Sequence, residues 1–201
     1  MAHANTNQRH IQAVLDLASA QDWAEGRTWY STAHEAAEHI GRTYGVSTST
    51  AAGVIAALSP RNKWERNLID AEQLISTYVA AGTQAAKAVK VCTFTNNKAK
   101  ALRILECDGS PSSVRAILSG PKLTEFFNCI VAADDVCIDG HAYAIWFGQR
   151  LTLDKVPSIG IKLRRAIKAD YVAVAAANGL KPFEAQAITW TAWRRMHGVV
   201  K

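Results

Sequence analysis

Apolar residues return along this chain at intervals of three and four, the spacing that lines one face of an α-helix. Ile11, Val14, Leu15 and Ala18 make the first such stripe; Trp29, Ala33, Ala36, Ile40 and Tyr44 make the second, which Gly45 ends. Ser47, Thr48, Ser49 and Thr50 offer side-chain oxygens to cap a third helix, which carries Ala51, Val54, Ile55 and Leu58 and is closed by Pro60. Trp64, Leu68, Ala71, Ile75 and Val79 mark a fourth, running to Gly82. Between Gln84 and Phe94 the residues Val89, Val91 and Phe94 alternate as in a strand, yet a short strand there has no obvious partner. A fifth helix is expected from Asn97 to about Cys107, with Ala101, Leu102 and Leu105 inward, and a turn at Asp108–Pro111 follows it. Ser112–Leu118 and Leu123–Ala132 read as two further helices, and His141–Phe147, apolar on most sides, as a central one. Leu151–Ile159 is expected to be a loop, Ile161–Ala177 a helix stopped by Gly179, and Pro182 the first turn of a last helix to about Met196. The pattern predicts an all-α protein of roughly ten helices joined by short loops.

Composition narrows the class. The chain has 201 residues, of which 49% are hydrophobic, enough for one good-sized domain or two small lobes. Its formal net charge of +6 favours a polyanionic partner, with nucleic acid the first candidate. Cys92, Cys107, Cys129 and Cys137 form no CxxC pair, so they are read as reduced thiols rather than as a zinc knuckle or a disulfide framework. His34 and Glu38 fall one helical turn apart, but no third ligand joins them, and no metal site is expected. No apolar run approaches the roughly 20 residues that span a bilayer, and the amino terminus has no hydrophobic signal region. These features lead to the expectation of a soluble, cytoplasmic protein with no membrane partner.

The chemistry concentrates in Leu118–Gly148. A turn carrying Gly120, Pro121 and Lys122 stands between two helices, where backbone amides can meet a phosphate. Gly120 permits a tight turn, Lys122 adds a point charge, and the amides near Thr124 open the next helix. Asp139 follows seventeen residues after Lys122, at the start of the His141 helix. It could cap that helix, serve as a fixed carboxylate for charge stabilisation or proton transfer, or do both. A second polar stretch, Ser59–Asn67, holds Arg61, Asn62 and Lys63 next to Trp64, whose register favours the core. The clusters Lys162/Arg164/Arg165/Lys168 and Arg194/Arg195 are either phosphate-facing patches or solvated helix faces. Trp190 and Trp193 are expected to pack, with partners for their N–H groups.

The order of hairpin turn, helix, extended step, Asp139 and helix resembles the core of the helix-hairpin-helix DNA glycosylase superfamily, the group of endonuclease III and the adenine-mismatch glycosylases. The segment VCIDGHA resembles that family's hydrophobic-x-Asp-x-His/Asn stretch, and the likeness runs from about Thr48 to Gly148. It implies a two-lobed helical domain over the whole chain, with the hairpin at about 112–132. It also implies double-stranded DNA bound through Gly120, Lys122 and Thr124, with Arg61, Asn62 and Lys63 filling or flanking the gap left by a flipped base. Asp139 would be catalytic and His141 would support it. The chain departs from the family in placing Lys122 where a second glycine usually stands. It also has no lysine in Leu123-Thr124-Glu125, so Schiff-base lyase chemistry is not implied. No cysteine lies beyond Cys137, so neither an iron–sulfur cluster nor another cofactor is expected, and a monomer is favoured.

ALSPRNKW, GPKLTEFF and CIDGHA also look like small glycosylase-like proteins encoded by bacteriophages. Some of these are proposed to transfer an amino acid or amine onto an activated hydroxymethyl pyrimidine in DNA. That makes a hypermodification transferase, acting in a phage-infected cell, the alternative enzyme reading. A non-catalytic DNA-binding or interaction protein that keeps only the scaffold is the third reading.

Overall fold

The computed structural model describes residues 5–131, 135–152 and 155–199. Within them the chain forms ten helices: α1 Thr6–Asp16, α2 Ala20–Tyr44, α3 Thr48–Leu58, α4 Trp64–Ala88, α5 Thr95–Glu106, α6 Pro111–Leu118, α7 Pro121–Ile130, α8 Gly140–Phe147, α9 Ile161–Ala177 and α10 Pro182–Met196. No strand occurs among the described residues, and Val89–Phe94 is a connecting loop that bends at Cys92 and Thr93. The protein is all-α, as the periodicity predicts. Ala132, the expected end of α7, lies outside the described residues, as do Leu153 and Asp154 of the expected loop.

Several boundaries differ from the sequence reading, and for three of them the local reason is plain. Helix α2 starts at Ala20, well before Trp29, because Ser19 and Asp22 form a reciprocal cap. The Asp22 carboxylate accepts from the Ser19 amide at 2.8 Å, and the Ser19 hydroxyl accepts from the Asp22 amide at 3.2 Å. Helix α7 starts at Pro121, so Pro121 fills the first helical position, where its missing N–H removes no intrahelical bond. Helix α4 breaks at Gly82, whose φ of 76° is left-handed, and a further helical turn continues to Ala88. There the Lys98 ammonium donates to the Lys87 and Val89 carbonyls and closes the helix end.

The chain divides into two compact units. The first takes in the chain up to Tyr30 and again from residue 135; the second takes in Ser31 to residue 131. In the first, α1, α8, α9 and α10 pack on a core that includes Ile11, Leu15, Ile138, Ile145, Ile167, Tyr171 and Ile188. Asp170 of α9 ties this unit together: it accepts from Asn5 Nδ2, Gln8 Nε2 and Trp146 Nε1, each at 2.8 Å. In the second, α3 is the central element, buried from Thr50 to Leu58, with α4, α5, α6 and α7 packed on it. Gly53 lets α6 come close, since a Cβ there would lie 2.5 Å from Val114 Cγ1. Among the described residues no helix is long and apolar enough to cross a membrane.

Candidate functional site

Asp139 sits at the end of a short extended run whose residues Val136, Cys137 and Ile138 are buried in the core of the first unit. Helix α9 holds that run from the side. Arg164 Nη1 donates to the Ile138 carbonyl at 2.9 Å, and the Lys168 ammonium pairs with the Asp135 carboxylate. Two members of the basic cluster on α9 therefore bind the chain itself, while Lys162 and Arg165 are exposed. Asp139 is the N-cap of α8: its Oδ1 accepts from the Ala142 amide at 2.8 Å. Its Oδ2 accepts from the Trp190 indole N–H of α10 at 3.2 Å. The carboxylate is half-buried, so it is fixed in direction without being removed from solvent.

Trp190 is the centre of the surrounding wall. Trp29 lies against it with ring centroids 5.3 Å apart and tilted by 43°. His141 approaches edge-on at 6.5 Å, and the Arg194 guanidinium lies over the indole, 4.3 Å from its centroid. Trp29, His141, Trp190 and Arg194 are all half-buried. Below them, burial raises the Tyr171 phenol above its usual range; a hydrogen bond with Thr189 opposes this and the negative charge of Asp139 adds to it. A carboxylate beside aromatic faces can stabilise positive charge on a planar or sugar-like group held against them. Arg195, the other member of the α10 basic pair, is committed elsewhere: it donates to the Asp22 carboxylate at 2.8 Å and to the Leu17 carbonyl at 3.1 Å.

The α6–α7 turn belongs to the second unit. Its left-handed residue is Ser119, with φ 52°, and not Gly120, whose φ of −99° any residue adopts. A Cβ on Gly120 would meet only the Leu118 carbonyl, at 3.8 Å. Glycine here leaves the backbone open to a ligand rather than making the turn possible. Leu118 is fully buried beneath the turn, and its carbonyl accepts from the Lys100 ammonium at 2.6 Å. Lys122 lies exposed in the first turn of α7 and Thr124 is half-buried two residues on. Gly120 makes no side-chain cap, and Pro121 brings no amide proton, so the amide donors of this helix start come from Lys122 and Leu123.

Arg61, Asn62 and Lys63 form the loop between α3 and α4 in the same unit. Asp70, wholly buried on α4, anchors it: the carboxylate accepts from Asn62 Nδ2 at 3.0 Å, from Arg66 Nε at 2.7 Å and from the Cys92 amide at 2.7 Å. The Thr93 hydroxyl donates to the Pro60 carbonyl at 3.1 Å, which ties the two loops together a second time. Arg61 takes a left-handed φ of 58° and places its guanidinium 5.0 Å from the centre of the exposed Phe94 ring. Trp64 packs edge-on against Phe126 at 6.5 Å. Helix register offers one signal for Asp70 that apolar periodicity passes over: an acidic residue on the same face as Ala71 and Leu74, where charge needs partners. Trp190 and Arg194 were legible only as packing and basic residues, since nothing local in α10 points to Asp139.

His34, on α2, donates from Nδ1 to the Ile130 carbonyl at 2.9 Å, a helix-end contact. Among the described residues no three His, Cys, Asp or Glu side chains gather closely enough to hold a metal ion. A family described as being of unknown function, DUF7178, matches residues 2–197 of the chain. No curated protein and no solved structure matches it.

Proposed function

Because the chain belongs to DUF7178, a family of unknown function, we propose its role from its own residues: a DNA-binding enzyme of the glycosylase superfamily that acts on a flipped base, with Asp139 at the reaction centre. The observation that carries this reading is the half-buried Asp139 carboxylate, locked as the cap of α8 and set beside Trp29, His141 and Trp190. As an N-glycosidic bond breaks, positive charge gathers on the sugar, and a fixed anion stabilises it without reorganising. His141 borders the same wall. The α6–α7 turn, with the Lys122 and Leu123 amides and the Lys122 ammonium, holds a DNA phosphate. Arg61, Asn62 and Lys63 contact the duplex. No lysine follows the turn, so the reaction uses no Schiff base.

One observation favours the non-catalytic reading: both Asp139 oxygens already have N–H partners. Mass spectrometry of free bases and nucleosides decides between the readings. The protein is incubated with normal, uracil-containing, mismatched and hydroxymethyluracil-containing duplexes, alongside D139N. A base released by the wild type and not by D139N is the expected result. A retained nucleoside of altered mass would transfer the reading to the hypermodification alternative. Binding without any product, unchanged in D139N, would leave the scaffold reading.

A further inference from the structure

We propose that Trp190 is a positioning residue for Asp139, its indole N–H setting the direction of the one carboxylate oxygen that α8 does not use. The inference rests on the reading of Asp139 given above. Two sets of contacts fix where Asp139 begins. Arg164 and Lys168 hold the extended run ahead of it, and the Ala142 amide takes Oδ1. One anchored oxygen still allows the carboxylate plane to swing, and the Trp190 N–H on Oδ2 is the contact that stops it.

The indole is itself restrained. Trp29 lies against it at 5.3 Å, His141 meets it edge-on at 6.5 Å, and the Arg194 guanidinium lies 4.3 Å from its centroid. A cation over the ring draws π density towards itself and polarises the N–H in the sense that strengthens a donor. The bond to Oδ2, at 3.2 Å, is at the long end of the N–H···O range. It orients the oxygen while leaving its other lone pairs for a cationic centre. A residue that only filled space would need neither an N–H aimed at the carboxylate nor a cation over its face.

The test has a spectroscopic arm and a kinetic arm, both on the full chain. Indole N–H resonances are recorded by ¹⁵N–¹H NMR across the acid range for wild type, D139N and W190F; the peak missing in W190F belongs to Trp190. That peak is expected to move as acid protonates the carboxylate, and to sit elsewhere and stay still in D139N. A Trp190 peak indifferent to both pH and D139N overturns the proposal.

In the kinetic arm, W190F is expected to lower kcat about 10- to 100-fold with KM nearly unchanged, the mark of lost orientation rather than lost binding. R194M, which keeps the indole, is expected to shift kcat in the same direction by less. Unchanged kcat in W190F, or a change confined to KM, overturns the proposal. Should the wild type release no base from any duplex, the glycosylase reading falls, and the NMR arm alone decides whether Trp190 orients Asp139.

Discussion

At the scale of single residues, the proposed catalytic role of Asp139 can be separated from its role as the cap of α8. Asparagine caps a helix about as well as aspartate, so D139N keeps the bond to Ala142. Its amide group then faces the Trp190 N–H, donor against donor. D139N should therefore cost about 1 kcal/mol in a denaturant or thermal melt while abolishing base release. A larger loss of stability would mean that the carboxylate chiefly serves the fold. Ser119 and Gly120 separate in the same way. Glycine at the left-handed position should help the turn, so S119G should gain roughly 0.5 kcal/mol. G120A, with no steric conflict at 3.8 Å and an ordinary φ, should leave the melt almost unchanged. If the turn's backbone approaches a DNA phosphate closely, G120A should nonetheless weaken binding in a fluorescence-anisotropy titration.

At the scale of elements, the start of α2 shows how a cap outweighs a hydrophobic stripe. Burial alone would raise the Asp22 carboxyl; the Ser19 amide and hydroxyl and the Arg195 guanidinium outweigh it and hold the group below its usual range. A carboxylate lowered on folding contributes stability at pH values above its unfolded pKa and loses it as pH falls through the folded one. The melting-temperature gap between wild type and D22N should thus be widest near neutrality and close as the pH drops below about 4. A gap that held constant into acid would show that the ionised form contributes nothing.

The elements also show what could be read in the sequence. Helices α3, α9 and α10 were legible to within a residue or so, because their caps and glycine stops sit where the apolar pattern ends. Helix α4 was legible as a helix, and its stripe faces inward at Ala71 and Ile75, but its buried polar residues were not legible. Asn67 and Asp70 lie buried on the same helix and bond there, while Val79 at the far end of the stripe is half exposed. Polar residues that find partners are indistinguishable, in periodicity, from polar residues that face water. The same limit hid Trp190: Asp139 was singled out from its local segment, but its partner stands on a helix fifty-one residues later and only tertiary packing brings the two together.

At the scale of the whole molecule, ammonium and guanidinium groups that look alike in a charge count have different duties. Lys98 and Lys100 close helix ends, while Arg66, Lys168 and Arg195 pair with Asp70, Asp135 and Asp22. A polyanion that docks on this surface expels condensed sodium or potassium ions only where a cation replaces them at a phosphate. The steepness of the salt dependence therefore follows the number of phosphate contacts and not the net charge of +6. With Arg61, Lys63 and Lys122 as the contacts, log K against log salt should fall with a slope of roughly −3, against about −0.9 per neutralised phosphate. K122A should flatten that slope by about one such step. K100M should lower stability, because the Lys100 ammonium holds the Leu118 carbonyl, and should change the slope less than K122A does.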